Sequence, residues 1–237
     1  DLSGNPGSQA ASAWSNLSSV RGNNDLDLSY SQYSIPHRVT AAVSYRLEYA
    51  RNLATTLSLF YEGASQGRVT YRYSNDMNND GLTNDLMYIP KNRTEAGLLI
   101  PDAADADAFW AYVQQDDYLK DNLGKYAEQN GALFPWVHTV DARLLQEFSI
   151  KTGNRRHTLQ FSVDMLNFTN FLNSDWGVRQ RLVVSNAAPL RYSGMTTDGV
   201  PQFTMNKVSG AYPTKTYENS IGVSSTWGMQ LGLRYIF

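Results

Sequence analysis

Apolar and polar residues alternate with period two over five separate stretches of this chain. In the clearest, Val39, Ala41, Val43, Tyr45, Leu47 and Tyr49 are interleaved with Arg38, Thr40, Ala42, Ser44, Arg46 and Glu48. That rhythm predicts a strand with one greasy face and one wet face. After a tight turn at Ala50-Arg51-Asn52 it resumes with Leu53, Thr55, Leu57, Leu59 and Tyr61, and Gly63 to Gly67 is expected to break it. From Trp136 the outward set is Val140, Ala142, Leu144, Gln146 and Phe148, followed by a turn at Lys151-Thr152-Gly153-Asn154. Leu159, Phe161, Val163 and Met165 form a fourth set. Trp227, Met229, Leu231, Leu233, Tyr235 and Phe237 form the last, within a strand expected over 225–237.

The connections are unequal. Two turns are short, whereas residues 74–134 and 168–224 are long, and connections of that length are seldom idle. In the first, Ala103 to Gln115 predicts a helix carrying Phe109, Trp110 and Val113. In the second, Val178 to Val184, Leu190 to Tyr192 and Gln202 to Met205 are candidate hairpin strands. Residues 1–28 read as loop, and Ser29 to Ser34 as a short extended piece.

No residue of the outward set is charged, and aromatics gather at the strand ends (Tyr49, Tyr61, Phe148, Trp227, Tyr235, Phe237). A soluble sandwich needs a second apolar face to pack against. Here the alternate face carries Arg, Glu, Gln and Ser. The expectation is therefore all-β: strands of a transmembrane antiparallel β-barrel, with long extracellular loops and short periplasmic turns. Five strands do not close a barrel, since the smallest have about 8. Residues 1–237 are thus expected to be the C-terminal part of one barrel domain whose earlier strands lie elsewhere.

Composition narrows the function classes. The 237 residues include 15 Tyr and 5 Trp, amphipathic aromatics suited to a bilayer interface. Mean hydropathy is −0.43, which a barrel tolerates because half of each strand faces water. Cysteine is absent, removing disulfides and thiolate metal sites. Net charge is −2 without a basic cluster, which argues against a nucleic-acid partner.

Asp76-Met77-Asn78-Asn79-Asp80-Gly81 resembles the start of a calcium loop. Asp76, Asn78 and Asp80 supply oxygens at alternate positions, with Asp85 the nearest further acid. Met87 replaces the bidentate acid of an EF-hand. Calcium is the one cofactor this suggests, set against an ordinary Asx-rich turn. His37, His138 and His157 are too dispersed for a metal or catalytic cluster, and His138 reads as an interface residue. Asp141, Arg143, Glu147 and Asp164 share the inward phase, as a solvated wall or a plug contact. No catalytic constellation stands out, so no enzyme is expected.

Gln230, Gly232, Leu233, Tyr235 and Phe237 resemble the C-terminal signal by which Gram-negative outer-membrane proteins are recognised by their barrel-assembly machinery. The stretches 28–38, 79–90, 126–131, 135–143, 172–177 and 233–237 together resemble the C-terminal barrel region of Oar-like TonB-dependent outer-membrane receptors, which are related to starch-utilisation transporters. The resemblance implies a barrel of about 22 strands in a Gram-negative outer membrane. It also implies an N-terminal plug outside residues 1–237, coupling to the TonB complex through that missing N-terminal part, contact with outer-membrane lipid, and a surface lipoprotein as partner. The implied activity is import of a bulky nutrient. A passive porin or adhesin barrel is the main rival. An outer-membrane enzyme and a soluble sugar-binding module are further alternatives.

Overall fold

Five of the alternating stretches pair into one antiparallel sheet. The computed structural model describes residues 14–237. The first strands are β1 (Arg38–Tyr49) and β2 (Leu53–Ser65), then β3 (Arg68–Val69) and β4 (Tyr88–Ile89). Helices α1 (Ala103–Gln115) and α2 (Asp117–Asp121) follow, then β5 (Lys125–Tyr126) and β6 (Ala132–Leu133). The long strands β7 (Trp136–Thr152) and β8 (Arg155–Leu166) lead to α3 (Phe168–Leu172). Short strands β9 (Gln180–Leu182), β10 (Leu190–Met195), β11 (Pro201–Met205) and β12 (Tyr217–Asn219) precede the last, β13 (Gly228–Ile236). The architecture is all-β with few helices.

The large sheet has the order β1-β2-β7-β8-β13, with β1 and β13 at its open edges. Tyr49 faces Leu53 across one short turn and Thr152 faces Arg155 across the other. At the opposite strand ends, Ser65 faces Trp136 and Gly228 faces Leu166. Both short turns therefore lie at one end of the sheet, and both long connections leave from the other. The chain divides into two compact units. One is this sheet with its flanks (Ile35–Gln66, Pro135–Gln180, Asn219–Phe237). The other comprises the described part of Asp1–Ser34 together with Gly67–Phe134 and Arg181–Glu218. It is called the connection unit below.

Strand limits differ from the sequence reading in three places. Gly63 does not break β2. The strand runs on to Ser65, because ladder hydrogen bonds are made by backbone and Gly63 pairs directly with His138. The last strand starts at Gly228, not Ser225. Ser225 sits in a short 3₁₀ turn, where its Oγ accepts from Arg179 N at 3.2 Å. Residues 29–34 form no strand, since Ser34 N bonds back to Ser31 O at 3.0 Å and turns the chain. Of the loop expected over 1–28, residues 1–13 lie outside the described residues.

The connection unit has its own core. Val69, Tyr71 and Tyr73 are buried at alternate positions, and Met87, Ile89, Phe109, Val113, Leu190, Phe203 and Met205 pack with them. Tyr73 stacks on Phe203 with centroids 4.9 Å apart, and Tyr71 on Tyr118 at 5.8 Å. Helix α1 has the predicted limits. Asp102 caps it by accepting from Ala104 N and Asp105 N, and its buried positions 105, 106, 109, 112 and 113 make one stripe at helical spacing. The β10–β11 hairpin joins two predicted segments. The third, around β9, pairs instead with β12. Helix α2, capped by Asp116, was not foreseen.

Candidate functional site

Every ion pair of the sheet unit lies on one face. The alternation sends Arg38, Arg46, Glu62, Asp141, Arg143, Glu147 and Asp164 to the same side. There Arg38 Nε meets Glu62 at 2.9 Å and Arg143 Nε meets Asp164 at 3.2 Å. Arg46 binds both Glu48 and Glu147, and Gln160 donates to Glu147 at 2.6 Å. Ser44 and Ser58 are 2.8 Å apart, Ser149 and Thr158 2.9 Å. Asp141 accepts from Asn167 N at 2.8 Å, so it anchors the exit from β8. The result is a wall of paired charges and hydroxyls.

The opposite face is apolar and exposed: Val43, Tyr45, Leu57, Leu144, Phe161, Leu231 and Leu233 all stand open. Its one amide, Gln146, is saturated locally. Its Oε1 accepts from Thr55 Oγ1 at 2.6 Å and from Tyr49 Oη at 3.1 Å, and its Nε2 donates to Ala54 O at 3.2 Å. A polar group placed in apolar surroundings needs such partners.

Aromatic rings mark both margins of this face. At the long-connection end His37 stacks with Trp136, Trp136 with His138, and His138 with Tyr61, with centroids 5.8–6.4 Å apart. Phe171 meets Trp227 edge-on at 5.1 Å. At the short-turn end His157 stacks on Tyr235 and Tyr235 on Phe237. Each margin carries a tyrosine–histidine bond: Tyr61 Oη to His138 Nδ1 at 2.8 Å, and Tyr235 Oη to His157 Nδ1 at 2.7 Å. His138 and Phe148 lie ten positions apart on β7. At about 3.3 Å per residue they are separated by about 33 Å along the strand.

The predicted terminal motif lies along β13 as an edge. Gln230 faces Asp164 and Gly232 faces Ser162 on the polar side, while Leu233 faces Phe161 and Tyr235 faces Leu159 on the apolar side. Phe237 lies just beyond the strand and is 81% exposed. Alternation alone placed the first four on their faces.

The acidic loop is ordered by its own backbone. Asp76 accepts from Asp80 N at 3.3 Å and Gly81 N at 2.8 Å. Asn78 Oδ1 accepts from Asp80 N at 2.9 Å, and Asp80 Oδ1 from Leu82 N at 2.8 Å. Asp85 is buried and accepts from Met77 N at 2.8 Å. Burial pushes the Asp85 carboxyl up from its ordinary value, the Met77 bond opposes this, and the neighbouring Asp80 and Asp76 push it further up. Among the described residues, no group of three or more His, Cys, Asp or Glu side chains is arranged to hold a metal. The loop thus brings Asp76, Asn78, Asp80 and Asp85 into one turn, with backbone N–H groups on each of the three carboxylates and on the Asn78 amide oxygen.

Two buried carboxylates that the sequence reading passed over tie the long connections together. Asp105 accepts from Met205 N at 3.0 Å and Tyr212 Oη at 2.6 Å. Asp116 accepts from Tyr71 Oη at 2.6 Å, Thr216 Oγ1 at 2.7 Å and Leu119 N at 2.9 Å. The signal for Asp105 was present, since it falls on the apolar stripe of its helix. No protein family, curated protein or solved structure matches this chain.

Proposed function

We propose that this chain is the C-terminal barrel segment of a TonB-dependent outer-membrane transporter that imports a bulky nutrient. The observation that carries the membrane reading is the sheet with all its ion pairs on one face. Its other face carries no charge between two aromatic margins, which lie about 33 Å apart along β7. At the strand tilt of a barrel, about 40°, that span corresponds to the apolar band of an outer-membrane barrel, about 25 Å, and aromatic girdles belong at its margins. The open edges at β1 and β13 then pair with further strands, up to about 22 in all. The short turns face the periplasm and the long connections face outward. The transport reading rests on the resemblance of six stretches to Oar-like receptors, with TonB and a surface lipoprotein as partners. Calcium at Asp76, Asn78, Asp80 and Asp85 belongs to the same proposal.

Because these 237 residues contain no cysteine, single cysteines can report each position in the full-length protein expressed in cells. Cysteines replacing Val43, Leu57 and Leu231 should resist a water-soluble maleimide but react with a lipophilic one, and those at Ser44, Ser58 and Gln230 should do the reverse. Equal labelling of both sets by the soluble reagent would overturn the membrane reading. Nutrient uptake unaffected by loss of TonB would leave a porin or adhesin barrel in its place.

A further inference from the structure

The segment after β2 sends alternate side chains two ways. Val69, Tyr71 and Tyr73 enter the core of the connection unit. Arg68, Thr70 and Arg72 line an open cavity of about 860 Å³, together with Tyr30, Gln129 and Asn130. Among the described residues no Asp or Glu lines it. An adjoining cavity of about 470 Å³ shares Arg72 and Asn186, adds Lys207, and again has no acid among the described residues of its wall. The same unit is rich in acids elsewhere, and its Arg21, Arg93 and Arg181 each pair with a carboxylate. Among the described residues, neither Arg68 nor Arg72 does.

Arg68 is held in place without being neutralised. Its Nη1 donates to Asn130 O at 2.9 Å, and its guanidinium lies 4.0 Å from the Tyr30 ring centroid. Its Nε is buried and has no hydrogen-bond partner among the described residues. Asn130 is fixed in turn by Tyr30 O and Thr70. Two guanidinium groups facing one cavity repel each other unless an anion lies between them.

We propose that this cavity binds a small polar ligand bearing a carboxylate, with Arg72 and the preset Arg68 as its charged contacts. Planar guanidinium groups match carboxylate oxygens in a two-pronged geometry that an ammonium does not offer. The surrounding amides and hydroxyls, Gln129 and Asn130 foremost, suit hydroxyl or amide groups flanking the carboxylate. The volume is that of small-molecule sites, which run to about 1,000 Å³. An acidic peptide and an acidic sugar share this chemistry.

The test is calorimetric titration of the purified full-length protein in mild detergent. The probes are diglutamate, digalacturonate, their uncharged counterparts (diglutamine and a neutral disaccharide), and inorganic phosphate. At least one of the two carboxylates should bind, at least about tenfold more tightly than its neutral counterpart and more weakly as salt rises. Which one binds identifies the source, peptide or sugar. R72Q should weaken that binding about tenfold with the melting temperature unchanged. Among the described residues Arg72 donates no side-chain hydrogen bond that folding would lose, so R72Q separates binding from stability. Carboxylates that bind no better than their neutral counterparts, phosphate alone binding, or an R72Q affinity equal to wild type would each overturn the proposal. The cavity does not depend on the barrel reading, and this titration leaves the outcome of the cysteine labelling untouched.

Discussion

Tyr61 reaches diagonally across β2 and β7 to bring its Oη within 2.8 Å of His138 Nδ1, over the space that Gly63 leaves empty. A Cβ on Gly63 would meet that hydroxyl at 2.5 Å and the imidazole nitrogen at 2.9 Å. The glycine that interrupts the sequence pattern is therefore what admits the tyrosine–histidine pair. Gly63→Ala should expel the Tyr61 ring and destabilise the full-length protein by about 1–2 kcal/mol. Tyr61→Phe, which keeps the ring, should cost less. Urea unfolding in lipid vesicles checks the order, and equal midpoints for both variants would refute the close fit.

The two faces of β1 should respond oppositely to the same charge. Val43→Arg puts a cation in the middle of the apolar face, at about 2–4 kcal/mol if that face meets lipid. Ser44→Arg adds one to the polar wall and should be tolerated. Folded protein in the outer-membrane fraction should drop for the first variant and stay near wild type for the second. Similar yields would contradict a lipid-facing β1.

Asp116 receives Tyr71, Thr216 and the backbone of Leu119, and so joins both long connections and caps α2. Asp116→Ala strands two buried hydroxyls and removes the cap. The expected loss within the connection unit is about 2–4 kcal/mol. Limited proteolysis should then cut within residues 67–134 or 181–218 while β7 and β8 stay protected. An unchanged digestion pattern would count against the carboxylate as the tie between the connections.

Asp85 has a folded-state pKa above its unfolded value of 3.8. The folded form binds the proton more tightly, so this group's contribution is fully present below about pH 3.8 and is lost as pH rises through the higher folded pKa. Wild type should therefore lose stability relative to Asp85→Asn as pH rises from about 4 to neutral. Calcium in the millimolar range should reverse the trend if the loop binds it, because the cation removes the repulsion from Asp76 and Asp80. Melting curves with and without calcium decide both points. A wild-type-minus-variant difference that stays flat with pH would contradict the raised pKa.

Among the described residues Phe237 stacks only on Tyr235, at 5.7 Å, and is otherwise open. Deleting it should change the unfolding midpoint little yet lower the amount of full-length protein that reaches the outer membrane. Immunoblots of membrane fractions measure the second effect. Normal amounts there would remove the assembly role.

What the sequence alone determined is the large sheet. Period-two alternation assigns each side chain to a face before any pairing is known, and short turns leave neighbouring strands little choice of register. The limits of β1 and α1, the sides taken by Leu233 and Tyr235, and the location of the acidic loop followed from local pattern. The sequence did not reveal that the two long connections share a core. Tyr71 and Phe203 are over a hundred residues apart, and their burial depends on contacts that carry no period. Nothing local marks Asp105 and Asp116 as ties, because their partners Met205, Tyr212 and Thr216 come from the second connection. Arg68 and Arg72 looked like ordinary polar positions in an extended stretch. Only the tertiary structure places them on one cavity with no acid beside them, because charge compensation depends on which distant segments fold against a residue.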